Sequence, residues 1–271
     1  MKLGLCLTGG GARGAYQIGA CQALDELGIF SRIQAFSGTS IGAVNACLLA
    51  TKTLPEIHAL WQSITPDMLE RTENIFAHIV KERMEFKETG VFEINGLASL
   101  LQQNLDFQRL REKQVFVTLS DGGETNEGIF GLMKATYQHY IKKDSKVVYA
   151  PLHDVEDNEA VIRQILASCS IPIAFAPQKM EDHQYFDGGV YDNVPVQPLI
   201  DSGCDTIIII HLNLIQFFDP KKYPNTKFYE VRVPKMLGGV LRFEPEKTRK
   251  LFELGHDTTI DYFLDHPFQI E

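Results

Sequence analysis

The start of the chain contains two units of the same kind, each an apolar run that stops near a glycine and is followed by helical spacing. The run 3–7 has the length and composition of a buried strand, and residues 13–27 then place apolar side chains on one helical face. Residues 33–36 predict a second strand, and residues 41–49 a second helix. Repeated strand–turn–helix units are typical of a wound sheet with mainly parallel strands. The sequence therefore predicts an α/β fold.

The rest of the chain continues the alternation of strands and helices, with no internal repeat. The further predicted strands are 115–119, 147–150 and 206–212, and the further predicted helices are 157–168 and 245–264. Residues 121–128 are rich in glycine and acidic side chains and predict a polar turn.

Residues 52–114 are charged and helical in pattern, unlike the sequence before them. We interpret them as a helical cap inserted beside the active site of one domain spanning 1–271. The apolar side chains of this cap could line a ligand channel or pack in a core, and the sequence favours neither: Ile75, Phe76, Ile79, Val80 and Phe86.

The charge balance restricts the partners. Lysine and arginine number 26 against 35 aspartates and glutamates, so the formal net charge is −9. Nucleic-acid binding needs a concentrated positive surface, and this balance argues against it. It also argues against simple electrostatic attraction to anionic membranes. Two basic clusters are interpreted as solvated helix faces: Lys142, Lys143 and Lys146, and Lys247, Arg249 and Lys250.

Cysteine usage and hydropathy suggest the compartment. The five cysteines are widely spaced and form no CxxC pair, which predicts buried thiols in a reducing environment. The apolar run at the start stops at Thr8, too short for the core of a signal peptide. The apolar stretch 207–218 is interrupted by polar residues, so we expect no membrane span. These features predict a cytoplasmic protein, with peripheral contact to a membrane as the further expectation.

A glycine-rich loop follows the first predicted strand. Gly9, Gly11 and Gly14 fit the spacing G-x-G-x-x-G of dinucleotide-binding proteins. That function also requires an acidic residue about 20 positions further on to hold the ribose. The sequence has no aspartate or glutamate from residue 27 to residue 54, so a dehydrogenase is disfavoured. A phosphate-binding loop is disfavoured as well, because no Lys-Ser/Thr pair follows the glycines.

An oxyanion hole is the alternative for this loop. Consecutive glycines let backbone N–H groups turn toward one point, and the N-terminus of a helix adds positive potential there. Such donors stabilise the negative oxygen that develops during acyl transfer. A simple tight turn between strand and helix fits the same residues, so the loop alone does not distinguish an oxyanion hole from a structural turn.

The second strand ends in Gly38-Thr39-Ser40-Ile41-Gly42, which matches G-x-S-x-G. In serine hydrolases this motif places the serine on a sharp turn between a strand and a helix, with glycines relieving the crowding around it. Both neighbouring elements are predicted here. Ser40 is therefore the candidate nucleophile, with Gly38 and Gly42 forming its elbow.

A serine nucleophile needs a positioned base, and the sequence offers two kinds. A Ser–His–Asp triad would have to use His211 or His256, neither of which lies on a glycine-flanked loop. Asp187 precedes two glycines, and a carboxylate in that position is exposed on a turn that can bend around a ligand. For this segment on its own, an ordinary Asp-Gly hairpin turn is the favoured interpretation.

Together these motifs resemble the patatin-like phospholipase family, in the order in which the family has them. The resemblance covers nearly the whole chain and is weakest over 52–160. The segments that carry it are 9–14, 38–42, 167–172 (Ala-Ser-Cys-Ser-Ile-Pro), 187–189, 193–195 (Asn-Val-Pro) and 243–264. One departure is Ser170-Ile171-Pro172-Ile173, where many relatives have Ala-Ile-Pro-Gly. It lies outside the motifs at Ser40 and Asp187, and it could reshape the acyl pocket.

The resemblance implies a three-layer α/β/α fold and a lipid acyl hydrolase of the phospholipase or lysophospholipase type. It implies a catalytic dyad of Ser40 and Asp187 without histidine, with Gly10 and Gly11 as oxyanion donors and Arg13 helping to hold their loop. The substrate would be a lipid acyl ester, and neither cofactor nor metal is implied. A triad esterase and a non-catalytic lipid-binding protein remain the alternatives.

Overall fold

The computed structural model describes residues 1–64, 95–124, 146–171, 177–240 and 243–269. Its helices, in chain order, are α1 Ala15–Glu26, α2 Ile41–Thr51, α3 Leu54–Ser63, α4 Asn95–Asn104, α5 Phe107–Arg111, α6 Asn158–Ser168, α7 Gln197–Asp201 and α8 Pro245–Asp265. Its strands are β1 Leu3–Leu7, β2 Ile33–Gly38, β3 Gln114–Glu124, β4 Val147–Pro151, β5 Gln178–Met180, β6 His183–Asp187, β7 Thr206–Ile210 and β8 Lys227–Val231.

The described strands form one sheet in the order β5-β6-β3-β2-β1-β7-β8, with β4 paired to β3. The pairs that link β3, β2, β1, β7 and β8 are parallel, and those of β3 with β4 and of β6 with β3 and β5 are antiparallel. The predicted α/β class with a mainly parallel sheet is therefore confirmed.

Side chains alternate between the two faces of the central strands, as the strand period of two requires. Leu5 of β1 and Ile208 of β7 belong to the larger apolar core, which also contains residues of α1, α2, α3 and α8. Cys6 and Ile207 face the other way, into a smaller core that contains Leu199 of α7. The sheet thus lies between two layers of helix, and β1, β7 and β2 are buried on both faces.

The element predictions are confirmed to within a few residues for the strands at 3–7, 33–36, 115–119, 147–150 and 206–212. The helix predicted from residue 13 begins at Ala15, after a 3-10 turn over Gly11–Gly14. The cap stays a prediction, because residues 65–94, with its apolar side chains, lie outside the described residues. So do Lys142 and Lys143. The second basic cluster lies on α8, where Arg249 pairs with Glu253 and Lys250 with Glu246.

The polar turn predicted at 121–128 is wrong where the structure describes it, because residues 121–124 continue β3. Here β3 runs beyond the end of β2 and pairs with β6, which runs back along it. Leu119 pairs with Asp187, while Val117 pairs with Gly38 at the end of β2. Two residues of strand span about 7 Å, so Asp187 arrives at the edge of the sheet where β2 ends.

Helices α1 and α8 pack with their backbones in close approach. Gly19 of α1 lies against the carbonyl of Phe252, and Gly255 of α8 lies against the carbonyl of Tyr16. A Cβ atom at either glycine would overlap that carbonyl. The α1–α8 contact covers the larger core and therefore depends on the absence of two side chains.

We expect Gly255→Ala to lower the free energy of unfolding by about 1–3 kcal/mol, because the added methyl group forces the two helices apart. Denaturant unfolding measures this. The matched control is Asp261→Ala on an exposed part of α8, which should stay within about 0.5 kcal/mol of the wild type. Equal stability of both variants would mean that the helices do not approach this closely.

Candidate active site

Ser40 lies on the turn between β2 and α2 with φ 56° and ψ −126°, a conformation that costs energy for a residue with a side chain. A Cβ atom at Gly38 would overlap the carbonyl of Gly42, and one at Gly42 would overlap the carbonyl of Leu7. Only glycine fits at these two positions. The turn therefore has the sharp geometry that the G-x-S-x-G motif predicts.

Neighbouring segments hold this turn through hydrogen bonds. The backbone N–H of Ser40 donates to Oγ of buried Ser168 at 3.0 Å. The hydroxyl of Thr39 donates to the carbonyl of Asp192 at 3.0 Å, and the N–H of Thr39 donates to the carbonyl of Leu7 at 3.2 Å. The turn is thus fixed by β1, by the end of α6 and by the segment that follows β6.

Asp187 is the last residue of β6 and is nearly buried. Its Oδ1 accepts the N–H of Gly189 at 2.8 Å. Its backbone N–H donates to the carbonyl of Ser170 at 2.9 Å, and its carbonyl accepts the hydroxyl of Ser120 at 2.9 Å. Asp187 therefore lies at the end of a strand, with both its backbone N–H and its backbone carbonyl in hydrogen bonds. It is not part of a free hairpin turn.

Burial raises the pKa of Asp187 to about 6, from an ordinary 3.8. Hydrogen bonds from Ser40 and from the backbone of Gly189 lower this pKa, and they offset part of the effect of burial. The structure thus brings the side chains of the two predicted residues together, and the carboxyl group of Asp187 has a pKa in the range of a useful base.

The glycine loop follows β1 and passes beside Ser40. A Cβ atom at Gly9 would lie 3.2 Å from Cβ of Ser40. Gly11 has φ +57° and lies against the carbonyl of Val240, which accepts the N–H of Ala12 at 2.6 Å. The N–H groups of Gly10 and Gly11 have no hydrogen-bond partner within the part of the chain that the structure describes. These two donors remain available in the loop.

Arg13 connects the glycine loop to two other loops. Its Nε donates to the carbonyl of Gly238 at 2.8 Å, and its Nη1 donates to Oδ1 of Asn213 at 2.7 Å. Asn213 in turn donates to the carbonyl of Gly9 at 3.3 Å. The guanidinium thus links the glycine loop to the segments that contain Asn213 and Gly238.

Sequence reasoning assigned no role to Asn193, although the Asn-Val-Pro motif contains it. Its Oδ1 accepts the N–H of Gly9 at 2.9 Å, and its Nδ2 donates to Gln216 at 2.8 Å. A Cβ atom on Gly189 would lie 3.3 Å from the same Oδ1. Asn193 therefore joins the loop after Asp187 to the glycine loop. Ser168 is the second residue to which the sequence assigned no role. The only sequence feature that pointed to it is its position in the family segment 167–172.

The two triad candidates have other partners. Nε2 of His211 lies 3.0 Å from Glu230, and burial lowers the pKa of its imidazole. His256 is paired with Asp257 at 2.9 Å and with Glu26 at 3.0 Å, contacts that raise its pKa. Among the described residues, neither imidazole has a contact with Ser40 or Asp187.

Other predicted features can be checked over the described ranges only. All five cysteines are buried free thiols. Within the described part of the chain, no group of three or more His, Cys, Asp or Glu side chains could hold a metal ion. The helices described there include none with the length and apolar character needed to cross a bilayer.

A serine on a strained strand–helix turn, a carboxylate partner and an adjacent glycine loop define a site of the serine hydrolase type. The profile of the patatin-like phospholipase family matches residues 5–200, so this chain belongs to that family. The resemblance noted in the sequence is thereby confirmed.

Among its relatives is the lysophospholipase NTE1 of Cryptococcus neoformans, 26% identical over 257 residues, a match that covers 87% of this chain and 13% of that protein. ExoU of Pseudomonas aeruginosa, solved in complex with SpcU, has a similar fold with a TM-score of 0.50 at 20% identity, covering 98% of this chain and 51% of that one. Human GIVD cytosolic phospholipase A2 also has a TM-score of 0.50, at 11% identity, covering 98% and 58%. The chain spans only part of the length of each.

The raised pKa of Asp187 predicts the pH dependence of stability. Folding favours the protonated carboxyl, so this contribution to stability is fully present below pH 3.8 and is lost as the pH rises through about 6. A shift of two units corresponds to about 3 kcal/mol. Asp187→Asn has no charge to bury, so it should be more stable than wild type near pH 8, by on the order of 1–3 kcal/mol.

This advantage of Asp187→Asn should shrink toward zero as the pH falls to about 4. Denaturant unfolding of both proteins across this pH range measures it. A difference that stays constant with pH would mean that the carboxylate is not desolvated.

Proposed function

We propose that this chain is a serine-dependent lipid acyl hydrolase in which Ser40 is the nucleophile and Asp187 is its base. The observation that carries the proposal is that Ser40, on its strained turn, lies beside the buried carboxylate of Asp187, whose pKa is about 6. A base with that pKa is largely deprotonated at neutral pH and can still accept a proton during the reaction.

The reaction proceeds in two stages. Asp187 accepts the hydroxyl proton as Oγ of Ser40 attacks the acyl carbonyl, and the leaving alcohol takes that proton when the ester bond breaks. The fatty acyl group is then bound to Ser40 as an ester. Water attacks this acyl-enzyme with Asp187 again accepting a proton, which returns to Ser40 as the free fatty acid leaves.

The oxyanion of each tetrahedral intermediate would be held by the N–H groups of Gly10 and Gly11. Both are unpaired among the described residues, and the loop passes beside Ser40. An oxyanion donor of this kind typically contributes about 3 kcal/mol to transition-state stabilisation. Arg13 would act indirectly, by holding the loop through Asn213 and Gly238.

The substrate class is proposed from the relatives. The family is named for phospholipases, and the related protein of Cryptococcus neoformans is a lysophospholipase. A lipid acyl ester, such as a phospholipid or lysophospholipid, is therefore the substrate that we propose for this chain. The mechanism uses neither metal nor organic cofactor.

Covalent labelling tests the nucleophile. Because Ser40 is activated by Asp187, a fluorophosphonate probe should label the wild type and should not label Ser40→Ala. Human GIVD cytosolic phospholipase A2 was solved in complex with a fluorophosphonate, which makes this probe a suitable choice. In-gel fluorescence measures the labelling.

The control for labelling is Ser63→Ala, which removes an exposed hydroxyl at the end of α3 that donates to the carbonyl of Leu60. This variant should be labelled as strongly as the wild type. Equal labelling of Ser40→Ala and wild type would place the reactive nucleophile elsewhere in the chain.

Substituting each candidate base in turn distinguishes a Ser–Asp dyad from a Ser–His–Asp triad. Asp187→Asn removes the proton acceptor while preserving the shape of the side chain, so kcat should fall by roughly 10²- to 10⁴-fold. His211→Gln and His256→Gln should stay within about tenfold of the wild type. The wild-type kcat/KM should rise with pH up to about 6 and level off above it, because only the ionised carboxylate acts as base.

Fatty-acid release from a lipid ester measures these rates, and the thermal midpoint of each variant shows that it is folded. A folded His211 or His256 variant as inactive as Ser40→Ala would establish a triad esterase. A wild type that binds lipid without releasing fatty acid would establish the non-catalytic alternative.

A further inference from the structure

Exposed large apolar side chains are concentrated beside the glycine loop. Of the eight in the described residues, five lie in two loops: 213–217, which follows β7, and 236–240, which follows β8. We call these the paired loops. Ile215 is 93% exposed, Phe217 81% and Met236 77%. Contiguous exposed apolar groups are uncommon on soluble proteins and mark a surface that contacts a partner.

The paired loops are fixed to the active site. Arg13 of the glycine loop binds Asn213 in one loop and Gly238 in the other. The carbonyl of Val240 accepts the N–H of Ala12, and Gln216 accepts a hydrogen bond from Asn193. Their apolar side chains therefore project from the rim of the site that contains Ser40.

The charges of the paired loops differ from those of the whole chain. The chain has a formal net charge of −9, whereas the paired loops contain no acidic side chain. Lys235 is exposed next to Met236. Arg232 donates to the carbonyl of Gln216, and its charge is paired with Glu230. Apolar side chains with cationic neighbours are the combination that suits the boundary between headgroups and acyl chains of a lipid surface.

We propose that the paired loops dock the protein on a lipid bilayer, with Ile215, Phe217 and Met236 inserted among the lipids. This proposal rests on the proposed function, because a lipid acyl ester must pass from its bilayer to Ser40. A second copy of the chain fits this surface less well. A stable protein interface uses about 20–30 residues a side, whereas the paired loops offer ten.

The test measures binding to vesicles of phosphatidylcholine, alone and with phosphatidylglycerol added, by flotation. All proteins carry Ser40→Ala, so that hydrolysis does not change the vesicles. The triple variant Ile215→Ser, Phe217→Ser, Met236→Ser should lower the ratio of bound to free protein at least about tenfold, because three apolar side chains no longer insert. Stronger binding to the vesicles with phosphatidylglycerol is expected from Lys235.

The matched control is Leu264→Ser. Leu264 is 71% exposed near the end of α8. That end of the helix is followed by Gln269, which contacts Lys227 at the start of β8, at the opposite edge of the sheet from the paired loops. This control should change vesicle binding less than about twofold. If the thermal midpoint shows that the triple variant is not folded, the single variant Ile215→Ser is tested in its place.

The outcomes separate docking from catalysis. With Ser40 restored, the triple variant should hydrolyse a water-soluble short-chain ester as the wild type does, while losing activity on vesicles. Vesicle binding without hydrolysis of any ester would remove the proposed function and leave the docking surface. Docking is overturned if the protein binds neither kind of vesicle, or if the triple variant binds vesicles as well as Leu264→Ser does. It is also overturned if the only effect of the three substitutions is to convert a dimer to a monomer.

Discussion

Gly42 lies so close to the end of β1 that any side chain there would overlap the carbonyl of Leu7. This close approach lets the chain turn from β2 into α2 within two residues, with Ser40 at the strained position between them. The strain is balanced by hydrogen bonds from three separate segments of the chain, because Leu7, Ser168 and Asp192 each bind the turn. The geometry of the turn at Ser40 therefore depends on several segments along this edge of the sheet.

The same edge sets the basicity of the carboxylate that we propose as the base. An ordinary carboxylic acid, with a pKa near 3.8, is a weak base at neutral pH. Burial of Asp187 raises its pKa to about 6, close to the value of about 6.5 for a free imidazole. Ser40 and Gly189 supply hydrogen bonds that lower this pKa, and no cation among the described residues lowers it further. Desolvation thus gives the Asp187 carboxylate a pKa close to that of an imidazole, the property that our proposed dyad requires.

Much of the site could be predicted from the sequence because its constraints are local. Ser40 needs glycines two residues before and after it, and the neighbouring elements need runs of apolar residues, so both leave a pattern in the chain. Contacts between residues that are distant in the sequence leave no such pattern. The polar composition of residues 121–124 predicts a turn, and only the pairing with β6 makes them a strand. Asn193 acts on Gly9, which is 184 positions away, and nothing in its neighbourhood indicates this partner.

The glycine loop has little of its own to hold it. Gly9, Gly10 and Gly11 lack side chains, so other residues must fix the direction of their N–H groups. Arg13 and Asn193 do this, and each also binds one or both of the paired loops. These two side chains therefore connect the paired loops to the backbone of Gly9, Arg13 doing so through Asn213. The loops that we propose to meet a lipid bilayer thus also hold the glycine loop, so the proposed docking surface and the proposed oxyanion donors depend on the same contacts.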